Sequence, residues 1–163
     1  MIRIAVVEDE EYYVNQLTGY LNEYQKTEKE ELDITVYRDG DAVTAEYKSQ
    51  FDIILMDIQM KFVDGMTAAE EIRKMDSEVV IIFITNMTQY AIRGYEVDAL
   101  DYVLKPVSYF AFSQKLKRAV SRIKKRSSKY ITLAVKGGVI RVDLDDIYYV
   151  ESAGHNLLYH MGN

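Results

Sequence analysis

The sequence predicts an α/β fold: a five-stranded parallel, doubly wound sheet, followed by a short all-β segment. Three observations predict it. Short apolar runs alternate with amphipathic stretches through about the first 124 residues. Two of those runs, Phe51–Met56 (broken only by Asp52) and Val79–Ile84, have the composition of strands covered on both faces. After Ser127-Ser128 the style changes to short strand-like runs with a Gly137-Gly138 turn and no helical period.

Taken in order, Ile2–Val7 is the first strand, and Glu8-Asp9-Glu10-Glu11 opens a helix whose acidic first turn suits the positive end of the helix dipole. Tyr13, Leu17, Tyr20, Leu21 and Tyr24 recur at helical spacing and predict its buried stripe. Charged residues 28–31 form a loop before a second strand, Ile34–Tyr37. Asp39-Gly40 is a turn, and 41–49 a short helix. The Phe51–Met56 strand ends at Asp57. Asp64-Gly65 is a turn that starts a helix to Met75, with Met66, Ala69 and Ile72 inward. The fourth strand ends at Thr85, a short helix covers 88–95, and Ala99–Leu104 is the fifth strand, ending at Lys105-Pro106. Ser108 caps a long last helix with Phe112, Leu116, Ala119, Val120 and Ile123 as its stripe. Beyond it lie a hairpin, Tyr130–Val135 and Val139–Val142, and two further strands, Ile147–Val150 and Asn156–His160. Gly162-Asn163 has the composition of another turn.

Composition narrows the chemistry. The chain has 163 residues, no Cys and two His. A disulfide framework, a thiolate metal site and a Cys nucleophile are excluded, and a zinc site or Ser-His-Asp machinery is not supported. No apolar run approaches the roughly 20 residues that cross a bilayer, and the acidic start is no signal peptide, so the expected location is the cytoplasm, with no membrane partner. The net charge of −6 is an average. Residues 1–113 carry −12, residues 114–129 carry +8, and residues 130–163 carry −2. The basic segment, eight Lys and Arg with no acid, suggests a boundary near residue 128.

In an open parallel sheet, ligands bind at the carboxyl ends of the strands. Those ends carry Glu8 and Asp9, then Asp57, Thr85 and Lys105. Carboxylates held close together repel, and a divalent cation relieves the repulsion. An all-oxygen donor set points to a hard ion, Mg²⁺ or Mn²⁺. Mg²⁺ prefers one or two carboxylates plus water and phosphate oxygens, which leaves one carboxylate free as a nucleophile for aspartyl-phosphate chemistry. A lysine and a hydroxyl would then hold phosphoryl oxygens. Any one of these residues alone reads as a helix cap, a strand-end hydroxyl or a solvated lysine. Their conjunction at four strand ends is what points to a site.

Val6-Val7-Glu8-Asp9-Glu10, Ile54-Leu55-Met56-Asp57-Ile58-Gln59-Met60, Asp64-Gly65, Phe83-Ile84-Thr85 and Asp101-Tyr102-Val103-Leu104-Lys105-Pro106 resemble the receiver domain of two-component response regulators, over about residues 1–124. The resemblance implies a flavodoxin-like sheet; receivers are among the proteins that exemplify the strand-end rule, so the two lines of reasoning are not independent. It implies Asp57 as phosphoacceptor, and Glu8, Asp9, Asp57 and the Gln59 backbone carbonyl as holders of the metal, Asp9 directly and Glu8 largely through water. It further implies Thr85 as switch hydroxyl, Tyr102 as switch aromatic, Lys105 as partner of the acceptor, and a cis Lys105-Pro106 bond. Three positions depart from the family pattern: Lys61 stands where Pro is usual, Asn86 where a small residue is usual, and Glu8 where Asp is commoner.

Tyr90-Ala91 with Ala99-Leu100-Asp101-Tyr102, and the tail Val142-Asp143-Leu144-Asp145-Asp146-Ile147-Tyr148-Tyr149-Val150-Glu151-Ser152, resemble the LytTR subfamily. The implied organisation is a receiver at 1–124, a basic linker at 125–129, and the opening third of a LytTR-type DNA-binding domain at 130–163. By that resemblance His155 and Asn156 fall in the first DNA-contacting loop. The implied protein is a transcription regulator, not an enzyme. A sensor histidine kinase phosphorylates it, and it pairs with a second copy through the 88–124 face. Two other readings compete with this one: a phosphorylation-independent dimerisation module, and a haloacid-dehalogenase-type Mg²⁺-dependent phosphohydrolase. The latter needs a second Asp where this chain has Gln59.

Overall fold

The computed structural model describes residues 1–86, 96–127, 130–143, 147–153 and 156–161. The expected 88–95 helix, Tyr90-Ala91, His155 and Gly162-Asn163 lie outside the described residues. The chain divides into two compact units, Met1–Val120 and Ser121–Asn163.

Up to residue 127 the chain alternates strand and helix: β1 (Ile2–Val7), α1 (Glu11–Glu28), β2 (Leu32–Tyr37), α2 (Gly40–Ala45), β3 (Ile53–Met56), α3 (Gly65–Met75), β4 (Val80–Thr85), β5 (Asp101–Leu104) and α4 (Tyr109–Ser127), whose residues 121–127 belong to the second unit. The five strands form one parallel sheet in the order β2-β1-β3-β4-β5. That order reverses direction at β1, and β1 and β3 are neighbours with Val7 opposite Met56. The residues that follow them, Glu8 and Asp57, therefore emerge side by side.

Burial follows the sheet's period of two. Ala5, Val7, Ile54, Met56, Ile81 and Phe83 cluster with Val43 of α2 and Met66, Ala69 and Ile72 of α3. The alternate strand residues Ile4, Val6, Ile53, Leu55, Ile82 and Ile84 are also buried, which is why β3 and β4 read as unbroken apolar runs. Asp52 stands just before β3 and ties that strand to β1. It accepts from the Arg3 backbone N–H at 2.9 Å and from the Arg3 guanidinium at 3.0 and 3.2 Å.

In α1 the buried residues are Val14, Leu17, Leu21 and Tyr24. Tyr13 and Tyr20, which the helical spacing places in the stripe, are half-buried at its margin. Tyr20 faces α4, its ring 5.6 Å from that of Phe112, and its hydroxyl donates to the Val107 carbonyl at 2.8 Å. Helix α2 is shorter than expected. Asp39 is its N-cap rather than a turn residue, accepting from the Asp41 N–H. Asp64 caps α3 through the Thr67 N–H, and Ser108 caps α4 through the Ala111 N–H. Helix α4 continues through residues 125–127, where the sequence suggests a linker.

In the second unit, β6 (Tyr130–Val135) pairs antiparallel with β7 (Gly138–Asp143), and β8 (Ile147–Ala153) with β9 (Asn156–Met161). The two pairs are separate two-stranded sheets. The first hairpin turns one residue earlier than expected. Gly138 sits in the ladder opposite Val135, so the loop is Lys136-Gly137, and Gly137 takes the left-handed φ of 103° that favours glycine.

Candidate functional site

The carboxyl ends of β1, β3, β4 and β5 place the predicted residues on one rim. Asp57 follows β3 and donates its backbone N–H to the Val7 carbonyl at 3.0 Å; Lys105 follows β5 and donates its N–H to the Thr85 carbonyl at 2.9 Å. These bonds continue the sheet one residue past each strand. Glu8, Asp57 and Thr85 are buried polar residues in a largely apolar interior.

The centre of the rim is a buried ion-pair network. The Lys105 side chain is only 4% exposed, and its Nζ lies 2.8 Å from Glu8 Oε2 and 3.0 Å from Asp57 Oδ2, with Glu10 Oε1 at 4.0 Å. Its ammonium also sits over the Tyr13 ring, 3.8 Å from the centroid. Glu8 Oε1 accepts from the Glu10 N–H at 3.1 Å, and Asp57 Oδ1 from the Gln59 N–H at 3.3 Å. The peptide that aims the lysine, Lys105-Pro106, is cis.

The electrostatics follow from burial. Burial first, then the Asp57 charge, pushes Glu8 up to about 7, against the pull of Lys105 and the Glu10 N–H. Burial by itself lowers Lys105, but Glu8 and Asp57 more than offset it, and the net shift is upward. Burial and the Asp57 charge raise Tyr102, whose hydroxyl is enclosed without a hydrogen-bond partner among the described residues.

One oxygen from each of Glu8, Asp9, Glu10 and Asp57 lies within 4.8 Å of the others. Four converging carboxylates with no sulfur or imidazole donor in the cluster fit a hard divalent cation. Three of them, Asp9, Glu10 and Asp57, line a cleft of about 340 Å³ together with Gln59, Met60, Lys61, Asn86 and Lys105. A larger depression lies around Asn22, Gln25, Lys26 and Lys29, at the other end of α1, away from the strand ends.

The loop after Asp57 is tied from two sides. The Asp39 carboxylate accepts from the backbone N–H groups of Phe62 at 3.0 Å and Val63 at 2.9 Å. The Gly65 N–H donates to the Ile58 carbonyl at 2.8 Å. A Cβ on Gly65 would meet the Asp57 carbonyl oxygen at 1.9 Å, so only glycine fits behind that residue. Lys61 thus sits in a loop that Asp39 pins at the two following residues.

The structure brings together Glu8, Asp9, Asp57, Gln59 and Lys105. It places Thr85 buried at the end of β4 and Tyr102 half-buried in β5. Asn156 begins β9, opposite Ala153. Three contributors are absent from the sequence-predicted set. Glu10 is legible only as part of the acidic run. Tyr13 reads as core because its spacing is that of the stripe. Asp39 reads as a turn residue because its partners in the loop are more than 20 positions away.

Similarity to known proteins agrees with this geometry. The chain is 31% identical to the sensory transduction protein LytT of Bacillus anthracis over 166 residues, covering 92% of this chain and 65% of that one. It is 31% identical to the transcriptional regulatory protein LytR of Staphylococcus aureus over 129 residues, covering 78% of this chain and 49% of that one. The chain therefore spans about half to two thirds of the length of these relatives. Among solved structures, the response regulator TrrA of Thermotoga maritima in complex with Mg²⁺-BeF superposes with a TM-score of 0.63 at 28% identity, over 73% of this chain and 99% of that one. Residues 4–117 match the response regulator receiver domain, and with the parallel sheet and its acidic rim already described, the chain belongs to the receiver-domain family of response regulators.

Proposed function

We propose that Asp57 is the phosphoacceptor of a two-component signalling protein, and that Glu8, Asp9, Asp57 and the Gln59 carbonyl hold the Mg²⁺ or Mn²⁺ ion the transfer uses. The observation that carries the reading is the Asp57 carboxylate itself. It is buried at the end of β3, one oxygen 3.0 Å from Lys105, within a cluster of three further carboxylates. A bound divalent cation supplies charge neutralisation to the incoming phosphoryl group.

A sensor histidine kinase is the proposed donor. An Asp57 oxygen forms the new P–O bond as the P–N bond of the phosphohistidine breaks and the imidazole leaves. Lys105 already stands beside that oxygen and holds one phosphoryl oxygen. Thr85, at the end of the adjacent strand, holds another. The added charge, about −2 at neutral pH, draws Thr85 and Tyr102 inward and alters the 88–124 face, through which two copies pair. Apart from self-phosphotransfer at Asp57 and its hydrolysis, the protein is regulatory. Among the described residues no helix is long and apolar enough to cross a membrane, and cytoplasmic location is part of the proposal.

The output we propose is transcription control through a LytTR-type domain beginning near residue 130, after a receiver at 1–124 and a basic connector at 125–129. His155 and Asn156 are the proposed DNA contacts within this chain. Support comes from the two hairpins after residue 130 and from a relative whose match covers 92% of this chain and so reaches into the tail. The direct test is incubation with radiolabelled acetyl phosphate and Mg²⁺. One equivalent of label is expected on the chain and none on an Asp57→Ala variant. Equal labelling of the two would refute the assignment.

A further inference from the structure

Helix α1 carries two tyrosines, seven positions apart, that both reach the segment holding Lys105. Tyr20 donates its hydroxyl to the Val107 carbonyl at 2.8 Å, and its ring meets those of Tyr109 and Phe112 at 5.4 and 5.6 Å. Two turns earlier on the same face, the Tyr13 ring lies under the Lys105 ammonium at 3.8 Å. Tyr12 packs against Tyr13 at 5.1 Å with the rings nearly perpendicular, which limits where the Tyr13 ring can go. One tyrosine thus fixes the backbone after Lys105, and the other bears on its charged end.

Consider what surrounds that ammonium. Glu8 and Asp57 take it at 2.8 and 3.0 Å, and the ring lies at 3.8 Å. A lysine has three donors and four rotatable bonds. Carboxylates alone, these two and Glu10 Oε1 at 4.0 Å, let the head follow whichever oxygen is less satisfied. The negative face of an aromatic ring adds an attraction of a different kind and fixed position, and such contacts gain strength when the cation is desolvated, as it is here. An aliphatic side chain of similar size would fill the space without that attraction.

We infer that Tyr13 is a positioning residue of the phosphorylation site: the face of its ring holds the Lys105 ammonium at the Glu8–Asp57 edge, where the phosphoryl group must be met. The inference rests on the proposed role of Asp57 and adds to it a residue outside both the carboxylate cluster and the lining of the cleft. It also makes a chemical distinction. The ring matters and the hydroxyl does not, so Tyr13→Phe retains the function and Tyr13→Leu loses it.

The test compares the full chain with these two variants in two measurements. The first is the apparent affinity for beryllofluoride in saturating Mg²⁺, with Mg²⁺ affinity alone as the control. Tyr13→Phe is expected within about twofold of the parent, and Tyr13→Leu about tenfold weaker toward beryllofluoride, with Mg²⁺ binding not weakened. The second is the NMR shift of the Lys105 side-chain protons, which a ring placed over them moves upfield. That shift is expected in the parent and in Tyr13→Phe, and absent in Tyr13→Leu. Beryllofluoride affinity in Tyr13→Leu equal to the parent's overturns the inference, as does loss in Tyr13→Phe equal to that in Tyr13→Leu, or a parent protein lacking the upfield shift. A parallel loss of Mg²⁺ and beryllofluoride affinity in Tyr13→Leu assigns the ring a merely structural role and overturns it too. If the parent itself binds no beryllofluoride, the phosphoryl reading fails, and the NMR comparison alone decides whether Tyr13 holds Lys105.

Discussion

Lys105 is the cation on which the acidic cluster of this receiver depends. Its side chain is 4% exposed and within 3.0 Å of two buried carboxylates. Removing one partner of a buried pair leaves the other charges uncompensated, which typically costs about 3–5 kcal/mol. Lys105→Met is therefore expected to lower metal-free stability by about that amount in urea unfolding, and saturating Mg²⁺ is expected to restore part of it by binding only the folded state. Glu8 gives a pH dependence with a definite sign. Its folded value, about 7, lies above its ordinary 4.5, so the folded chain keeps a proton that the unfolded chain releases between those limits. Without metal, the Glu8 contribution to stability falls as pH rises from about 4.5 to about 7. Mg²⁺ competes with that same proton, so its apparent affinity is expected to rise with pH up to about 7 and then level off. Metal titrations across that range, with Glu8→Gln as the variant that flattens the curve, check this. These charged residues are legible in the sequence because they end the strands or sit in one acidic run. Tyr13 is not, because a tyrosine at stripe spacing looks the same whether its ring faces core or an ammonium.

At the scale of elements, the strands and long helices are legible because burial imposes a period. β3 and β4 are apolar on both faces, β1 is so apart from Arg3, and α3 buries Met66, Ala69 and Ile72 as its spacing requires. The loops are not legible, because their restraints come from distant residues. Asp39 is the instance with the most consequence. Its carboxylate serves Asp41 in its own helix and Phe62 and Val63 in the loop that carries Gln59. A Cβ on Gly40 would meet the Val63 carbonyl oxygen at 2.6 Å, so the adjoining glycine is required by the same loop. Losing a helix cap costs about 1 kcal/mol, and leaving two further N–H groups unmet adds to it. Asp39→Ala is expected to destabilise the fold by about 2–3 kcal/mol. Burial works against the Asp39 charge, but the Phe62, Val63 and Asp41 N–H groups outweigh it and hold the group below its ordinary 3.8. Its contribution is therefore complete above that value and is lost as pH falls through the lower folded one. Urea midpoints of parent and variant should differ at neutral pH and converge in strong acid.

For the whole molecule, the contrast between the two units governs stability. Met1–Val120 contains a five-stranded sheet with buried residues on both faces. Ser121–Asn163 contains two separate two-stranded sheets, and within them Val135, Val139, Ile140, Val150, Leu157 and Leu158 expose a large part of their surface. An isolated two-stranded hairpin is marginal in water, and independent stability takes three or more strands with an apolar face, or a packed helix. The change of style at Ser127-Ser128 and the charge profile suggest a boundary near residue 128, C-terminal to the division between Val120 and Ser121, and neither carries the energetic difference. That difference follows from how many strands share one core. Opening free energies in one protein range from near zero up to the global value, and they follow buried apolar contact. The backbone amides of β3 and β4 are therefore expected to exchange with deuterium only through global unfolding. Those of β6, β7, β8 and β9 should exchange by local opening, at rates at least about a hundredfold higher, which corresponds to about 2.7 kcal/mol. Mass-spectrometric exchange on the full chain measures both at once. Equal protection in the two units would show that the hairpins draw their stability from the same cooperative core as the sheet. A chain ended at Ser127 keeps the five-stranded core intact, so its urea midpoint should stay where the receiver's is in the full chain.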